Sequence, residues 1–271
     1  MTVRLQVARG VVDVWARPER GPDDERLTQA LLGRPAELLE ERGAWTRVRL
    51  PDYEGWVERA HLAAPAAADT PRVLVLTALA APLHAAADGA ARLDEAYLGT
   101  VLPLVDRDDA RWRVALPGGR VAWLDHDAGE PRQRHDPFPR QPAAHAVAVA
   151  RRLLGCRYLW GGGTCRGIDC SALVQLAYAV SGHTLPRDAD QQWAALSAAV
   201  QRAALAPGDL LFFARDGAIV HVALALGGAA YLHALGEPPL GVCIQSLDAA
   251  AADYNARLDA LYLGARRVVG D

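Results

Sequence analysis

Two tryptophans and a Leu-Gly pair recur along the first half of the chain, and this repeat constrains its fold more than any other feature. Trp45 and Trp56 return as Trp112 and Trp123, each 67 residues on, and Leu32-Gly33 returns as Leu98-Gly99, 66 residues on. Around the first set, short apolar runs alternate with turn residues. Strand candidates fall at 3–7, 11–15, 27–32, 36–40, 46–50 and 55–57, broken at Pro18, Gly21-Pro22-Asp23-Asp24, Gly33 and Pro51-Asp52. Short, evenly spaced strands of this kind predict a small all-β barrel. A second copy at a fixed offset predicts a second barrel. The two are expected over 1–64 and 70–128, with the alanine-rich stretch 63–69 between them.

A Leu-Gly turn, a Trp-x-x-Val strand and a Gly-Trp-Val strand, in that order, resemble bacterial SH3-like domains. The copies differ where loops could serve a site. Glu25 and Tyr53 of the first stand where the second has Ala91 and Arg120. Both read as ordinary surface residues unless the first barrel faces an active site; the second barrel reads as structural.

Residues 129–142, with Pro131, Pro137, Pro139 and Pro142, read as an extended linker. The last domain is expected over 143–271. A helix is expected over 143–154 with Gly155 as its stop, then an apolar strand at 158–160 running into Gly161-Gly162-Gly163. A further helix starts near Arg187. Strands follow at 210–214, 220–225 and 230–234. Helices first and an antiparallel sheet after give an α+β domain.

Within that domain, Gly167-Ile168-Asp169-Cys170-Ser171 leads into Leu173, Leu176, Ala177 and Val180, the i, i+3, i+4, i+7 spacing of a buried helical face. Asp169 fits the N-cap, which puts Cys170 in the first turn. Unpaired N–H groups and the helix dipole favour a thiolate there, and a thiolate is the working nucleophile. The plainer reading is a small cysteine packed in the core.

A cysteine nucleophile needs a base and a group to orient that base. His221 and His233 supply both if they share a face of a hairpin turning at Gly227-Gly228. A three-residue turn at 226–228 pairs Ala225 with Ala229 and sets His221 opposite His233; a two-residue turn puts them on different faces. The first is expected. His221 is then the general base and His233 its orienting partner. Taken singly, each histidine reads as a packed or surface residue. The Tyr158 hydroxyl and the Cys170 N–H are candidates for holding the developing oxyanion.

Tyr-x-x-Gly-Gly at Tyr158, Asp-Cys-Ser at Cys170, Pro-Gly-Asp-Leu at Pro207, His-Val-Ala at His221 and a polar residue twelve on, taken together, resemble the NlpC-type cysteine peptidases, papain relatives that cut bacterial cell-wall peptides. The resemblance spans about 143–240. It implies a papain-like fold, with Cys170, His221 and His233 on the family's triad and Tyr158 on its active-site tyrosine. Two SH3-like barrels ahead of such a domain resemble the γ-D-glutamyl-L-diamino acid endopeptidases of the dipeptidyl-peptidase VI type. That resemblance implies hydrolysis of the γ-D-Glu–diamino acid bond in small muropeptides, of which L-Ala-γ-D-Glu-meso-diaminopimelate is an example. It further implies that an acid and a tyrosine of the first barrel, matched by Glu25 (Glu19 as second choice) and Tyr53, bind the free amine of the N-terminal L-Ala together with Asp188. Asp169 and Ser171 match substrate contacts. Ala189 departs from the family's usual serine, which removes one hydrogen bond.

The bounds agree with such an enzyme. The formal charge of −3 gives no general attraction to nucleic acid or anionic lipid. No apolar run reaches membrane-spanning length, and residues 1–9 hold no signal-type core. A cytoplasmic enzyme of muropeptide recycling is the expectation; a secreted or periplasmic wall hydrolase, its leader removed, and a non-catalytic wall-peptide binder are the alternatives. Cys165 and Cys170 are not spaced as a zinc site, and no metal or other cofactor is expected. Cys156, Cys165 and Cys243 read as buried or incidental thiols.

Overall fold

The computed structural model of the protein describes residues 3–19 and 24–268. The turn expected at Gly21-Pro22-Asp23 lies outside the described residues. The chain divides into two compact units, 1–137 and 138–271.

The first unit is all β and consists of two copies of one topology. Strands β1 (Arg4–Val7), β2 (Val11–Trp15), β3 (Arg26–Leu31), β4 (Pro35–Arg42), β5 (Trp45–Arg49), β6 (Glu54–Glu58) and β7 (Leu62–Ala63) form a sheet in the order β3-β2-β6-β5-β4-β1-β7. Strands β8 (Arg72–Leu76), β9 (Ala80–His84), β10 (Arg92–Tyr97), β11 (Val101–Arg107), β12 (Arg111–Leu116), β13 (Arg120–Asp125) and β14 (Gly129–Gln133) repeat it as β10-β9-β13-β12-β11-β8-β14. Alternation drives each copy. In β2 the buried positions are Val12 and Val14, every second residue, which is the strand period. The repeated Leu-Gly turn is the same device twice. Gly33 and Gly99 sit at φ 79° and 86°, where a side chain is strained, and their N–H groups bond Val7 and Leu76 carbonyls.

One expectation fails here. Residues 129–133 are not linker but β14, paired to β8 from Gly129↔Leu76 to Gln133↔Arg72. This strand is the second copy's counterpart of β7, and it lies at the sheet edge, where Pro131 needs no ladder donor. The copies are also joined more closely than a linker implies. Leu32 packs in the second barrel's core. The Gly10 N–H donates to Asp94 (3.0 Å) and Arg120 donates to the Ala8 carbonyl (2.9 Å).

The second unit is α+β. Its elements are α1 (Ala143–Arg151), β15 (Gly163–Thr164), β16 (Gly167–Ile168), α2 (Cys170–Ala179), α3 (Ala189–Ala195), β17 (Ala199–Val200), β18 (Leu210–Arg215), β19 (Ala218–Gly227), β20 (Ala230–Leu235), β21 (Gly241–Ser246), α4 (Ala256–Leu261) and β22 (Tyr262–Arg266). A six-stranded sheet runs β17-β22-β18-β19-β20-β21. The middle strands are apolar without alternation because both faces are covered. Trp193 of α3 meets Phe212 on one face, and Leu258 of α4 joins Leu211, Phe213 and Tyr231 on the other. The strand expected at 158–160 is not formed; Tyr158 makes only a single bridge to Ile168. The first helix stops at Arg151, three residues short of expectation.

Candidate active site

Cys170 is the first residue of α2, and Asp169 is its N-cap. The Asp169 carboxylate is almost wholly occupied in holding this corner. Oδ1 accepts the Ala172 N–H at 2.8 Å, and Oδ2 accepts the Gly161 N–H at 2.9 Å. Arg187 grips both oxygens, at 3.0 and 2.6 Å, and also donates to Ser171 Oγ at 2.8 Å. Arg187 is 2% exposed and Asp169 6%, so the charges compensate each other out of water. The Gly-rich turn closes over the same corner. A Cβ on Gly162 would lie 2.5 Å from the Gly167 carbonyl oxygen, so only glycine fits. The side chains of Asp169 and Ser171, expected as substrate contacts, also hold this corner together.

The thiol is partly exposed. The N–H groups of Val222 and Ser171 point at Sγ, and they and Arg187 favour the thiolate. These are outweighed. Burial, then the charge of Asp169, push Cys170 up to about 12. Cys170 therefore rests as a thiol.

The residue before Val222 is His221, the expected base. His221 Nε2 lies 2.8 Å from His233 Nδ1. The expected register is wrong, yet the expected pairing forms. The turn has two residues, with Gly227 paired to Ala230, and this alone would send the histidines to opposite faces. A bulge between Ala225 and Gly227 adds one residue and restores the parity. Leu224 then pairs Leu232 and Ala225 pairs Tyr231, which leaves His221 diagonal to His233 rather than opposite it. Both rings are buried, against Phe213 (5.5 Å) and Tyr231 (5.0 Å). Burial, helped by His233, pushes His221 down to about 3, and burial pushes His233 down to about 4. Both are neutral at ordinary pH. With Nε2 engaged, Nδ1 is the nitrogen of His221 left to take a proton.

Tyr158 is half-buried, its hydroxyl held protonated by burial and by the nearby Cys170 and Asp169. Gly236 lies flat on its ring, where a Cβ would come within 3.0 Å of Cε1. Asp188 precedes α3 and accepts from Gln191 at 3.1 Å. In the first unit, Glu25 is exposed just before β3, and Tyr53 lies in the turn between β5 and β6, its carbonyl bonded to the Leu50 N–H. Glu19 is exposed.

Sequence reasoning missed Arg187 and Gln192. Gln192 is buried and donates to the Ser171 and Pro186 carbonyls (3.1 and 2.9 Å), tying α3 to the nucleophile's turn. The available signal was the arginine directly before Asp188.

Residues 155–254 match the NlpC/P60 family, and residues 17–62 match the bacterial dipeptidyl-peptidase Sh3 domain. A Bacillus cereus protein named gamma-D-glutamyl-L-lysine dipeptidyl-peptidase is 30% identical over 251 residues, covering 83% of this chain and 75% of its own. Its Bacillus subtilis namesake is 30% identical over 264 residues, covering 90% of this chain and 86% of its own. The crystal structure of an NlpC/P60 family protein from Bacillus cereus ATCC 10987 superposes on 99% of this chain and 100% of that one, with a TM-score of 0.87 and 25% identity. The chain belongs to the NlpC/P60 family and carries a bacterial SH3 domain ahead of its papain-like NlpC/P60 domain.

Proposed function

We propose that the protein is a cysteine peptidase that hydrolyses the γ-D-Glu–L-diamino acid bond of small cell-wall muropeptides bearing a free N-terminal L-Ala, as a step in their recycling. The observation that carries the chemistry is the His221–His233 bond on the strand whose Val222 N–H meets Sγ of the thiol at the helix start. Similarity along most of the chain to proteins named gamma-D-glutamyl-L-lysine dipeptidyl-peptidase supports the bond chosen.

In this reading Cys170 Sγ attacks the amide carbon while His221 Nδ1 takes the thiol proton. The C=O electrons move onto oxygen, where the Cys170 N–H, which has no intrahelical partner in the first turn, and the Tyr158 hydroxyl stabilise the charge. Collapse breaks the C–N bond, and His221 hands its proton to the departing amine. Water, deprotonated by His221, then releases the acyl group from sulfur. No cofactor is required by these steps.

The selectivity for a free amine is proposed on the resemblance, which assigns it to Glu25, Tyr53 and Asp188. Carboxylates are stabilised by an ammonium ion and left uncompensated by an acylated one. The test is mass spectrometry of L-Ala-γ-D-Glu-meso-diaminopimelate, its lysine analogue, the N-acetylated peptide and intact sacculi. Release of L-Ala-D-Glu by the native protein and not by Cys170→Ala, from the free-amine peptides alone, is the expected result. Equal cleavage of the acetylated peptide, or release from sacculi, would retain the peptidase and discard the free-muropeptide reading.

A further inference from the structure

The hydrogen-bonded line that starts at His221 does not end at His233. In the β20–β21 pair, His233 faces Cys243 and Tyr231 faces Gln245, so these four side chains share one face. Cys243 Sγ lies 3.4 Å from His233 Nε2, which makes it more than an incidental thiol. Gln245 Oε1 accepts from Asn255 Nδ2 at 2.8 Å. Asn255 is the N-cap of α4, and its Oδ1 accepts the Leu258 N–H at 3.0 Å.

This chain of contacts has a direction. A backbone N–H can only donate, so the Asn255 atom facing Leu258 is oxygen and the atom facing Gln245 is nitrogen. The Gln245 atom it meets is therefore oxygen. Gln245 stands diagonal to His233 across the β20–β21 pair, within reach of its ring for a long side chain, and its presence there favours the protonated form of His233.

The chemistry needs that direction. To take the thiol proton, His221 Nδ1 must be bare. Neutral His221 then carries its hydrogen on Nε2 and donates to His233 Nδ1, so His233 carries its own hydrogen on Nε2. That hydrogen requires an acceptor. A thiol accepts or donates and specifies neither tautomer, whereas an amide oxygen only accepts. We infer that Gln245, oriented by the helix-cap residue Asn255, is a positioning residue that sets the tautomers of both histidines and keeps His221 Nδ1 bare. The inference rests on the Cys170–His221–His233 reading.

Asn255→Asp separates this role from a structural one. The new carboxylate still caps Leu258 but no longer donates to Gln245. The Gln245 amide then turns its nitrogen outward to both neighbours, and the hydrogens of His233 and His221 shift to Nδ1. The expected result is a fall in kcat of about tenfold or more, part of the roughly 10²–10⁴-fold that a positioned base supplies, with KM within about twofold and an unchanged melting temperature. Gln245→Leu should lower kcat similarly, and Gln245→Glu, which also only accepts, should recover most of that loss. Independently of turnover, histidine ring ¹⁵N shifts in the Cys170→Ala protein should report hydrogen on Nε2 of both rings, moving to Nδ1 when Asn255→Asp is added. Unchanged ring tautomers, or loss of kcat without the tautomer change, would overturn the inference. Absence of any cleavage by the native protein would sink the peptidase reading instead, and the nitrogen spectra would still decide the tautomers.

Discussion

His221 and His233 meet ring to ring, Nε2 to Nδ1 at 2.8 Å and 76° between planes, although they are diagonal and not direct partners across the hairpin. A diagonal pair holds the second ring at one nitrogen of the first and leaves the other nitrogen for chemistry. Removing the base should therefore cost more than removing its partner. His221→Ala is expected to lower kcat about 10³-fold and His233→Ala about 10- to 100-fold, with His233→Asn between His233→Ala and the native protein. Steady-state kinetics on the tripeptide would check the order; equal losses would make the two rings equivalent.

Because a single bulge residue sets the parity of the hairpin, deleting it should be far more harmful than its half-buried place near the end of β19 suggests. Deletion of Leu226 removes the bulge between Ala225 and Gly227 and turns every side chain on one strand to the other face. Activity should be lost, and the melting transition of the second unit should fall while that of the first stays. Leu226→Ala, which keeps the extra residue, should retain activity within about threefold and stability within about 1 kcal/mol.

The Arg187–Asp169 pair predicts a strong one-sided effect. Arg187→Leu leaves a buried carboxylate without its counter-ion and should destabilise the second unit by about 3–5 kcal/mol. Combining it with Asp169→Asn, which removes the stranded charge and keeps an oxygen for the cap, should recover a good part of that loss. Urea unfolding of both variants measures this; additive losses would mean the pair is not coupled.

The depressed imidazoles predict a slope of stability with pH. An ordinary histidine titrates near 6.5, whereas His221 and His233 do so at about 3 and about 4. As pH falls below 6.5 the unfolded chain takes up protons that the native site refuses, so stability declines toward pH 4. Each proton contributes at most about 1.4 kcal/mol per pH unit. A His221→Gln/His233→Asn double variant, compared at pH 7 and pH 4.5, should lose less stability over that interval than the native protein. Identical slopes would place the titrating groups elsewhere.

How much of this was readable in the chain follows from where the information sits. The barrels were legible because Trp45, Trp56 and their repeats, with strict alternation around them, are local signals. Strand β14 was not, because its polar residues and Pro131 are tolerated only at an edge, and edges are set by partners far away in sequence. Strand β21, helix α4 and strand β22 went unread; they are short, and their burial comes from packing on the sheet rather than from a periodic pattern. Cys170, its cap and the histidine pair were legible as types at a spacing. The register that joins the histidines was not, since a bulge leaves no mark in composition. Arg187 escaped for the same reason as β14: its partner Asp169 lies 18 residues earlier.

The seam between the barrels has a bearing on how such chains can be rearranged. Gly10 is pressed so close to the second barrel that a Cβ would come within 1.8 Å of the Glu95 carbonyl oxygen, and Leu32 is already a member of that barrel's interior. The two copies share one packed seam. Neither can be excised, transplanted or shuffled alone without opening a dry surface to water, so in evolution and in engineering the pair should travel together.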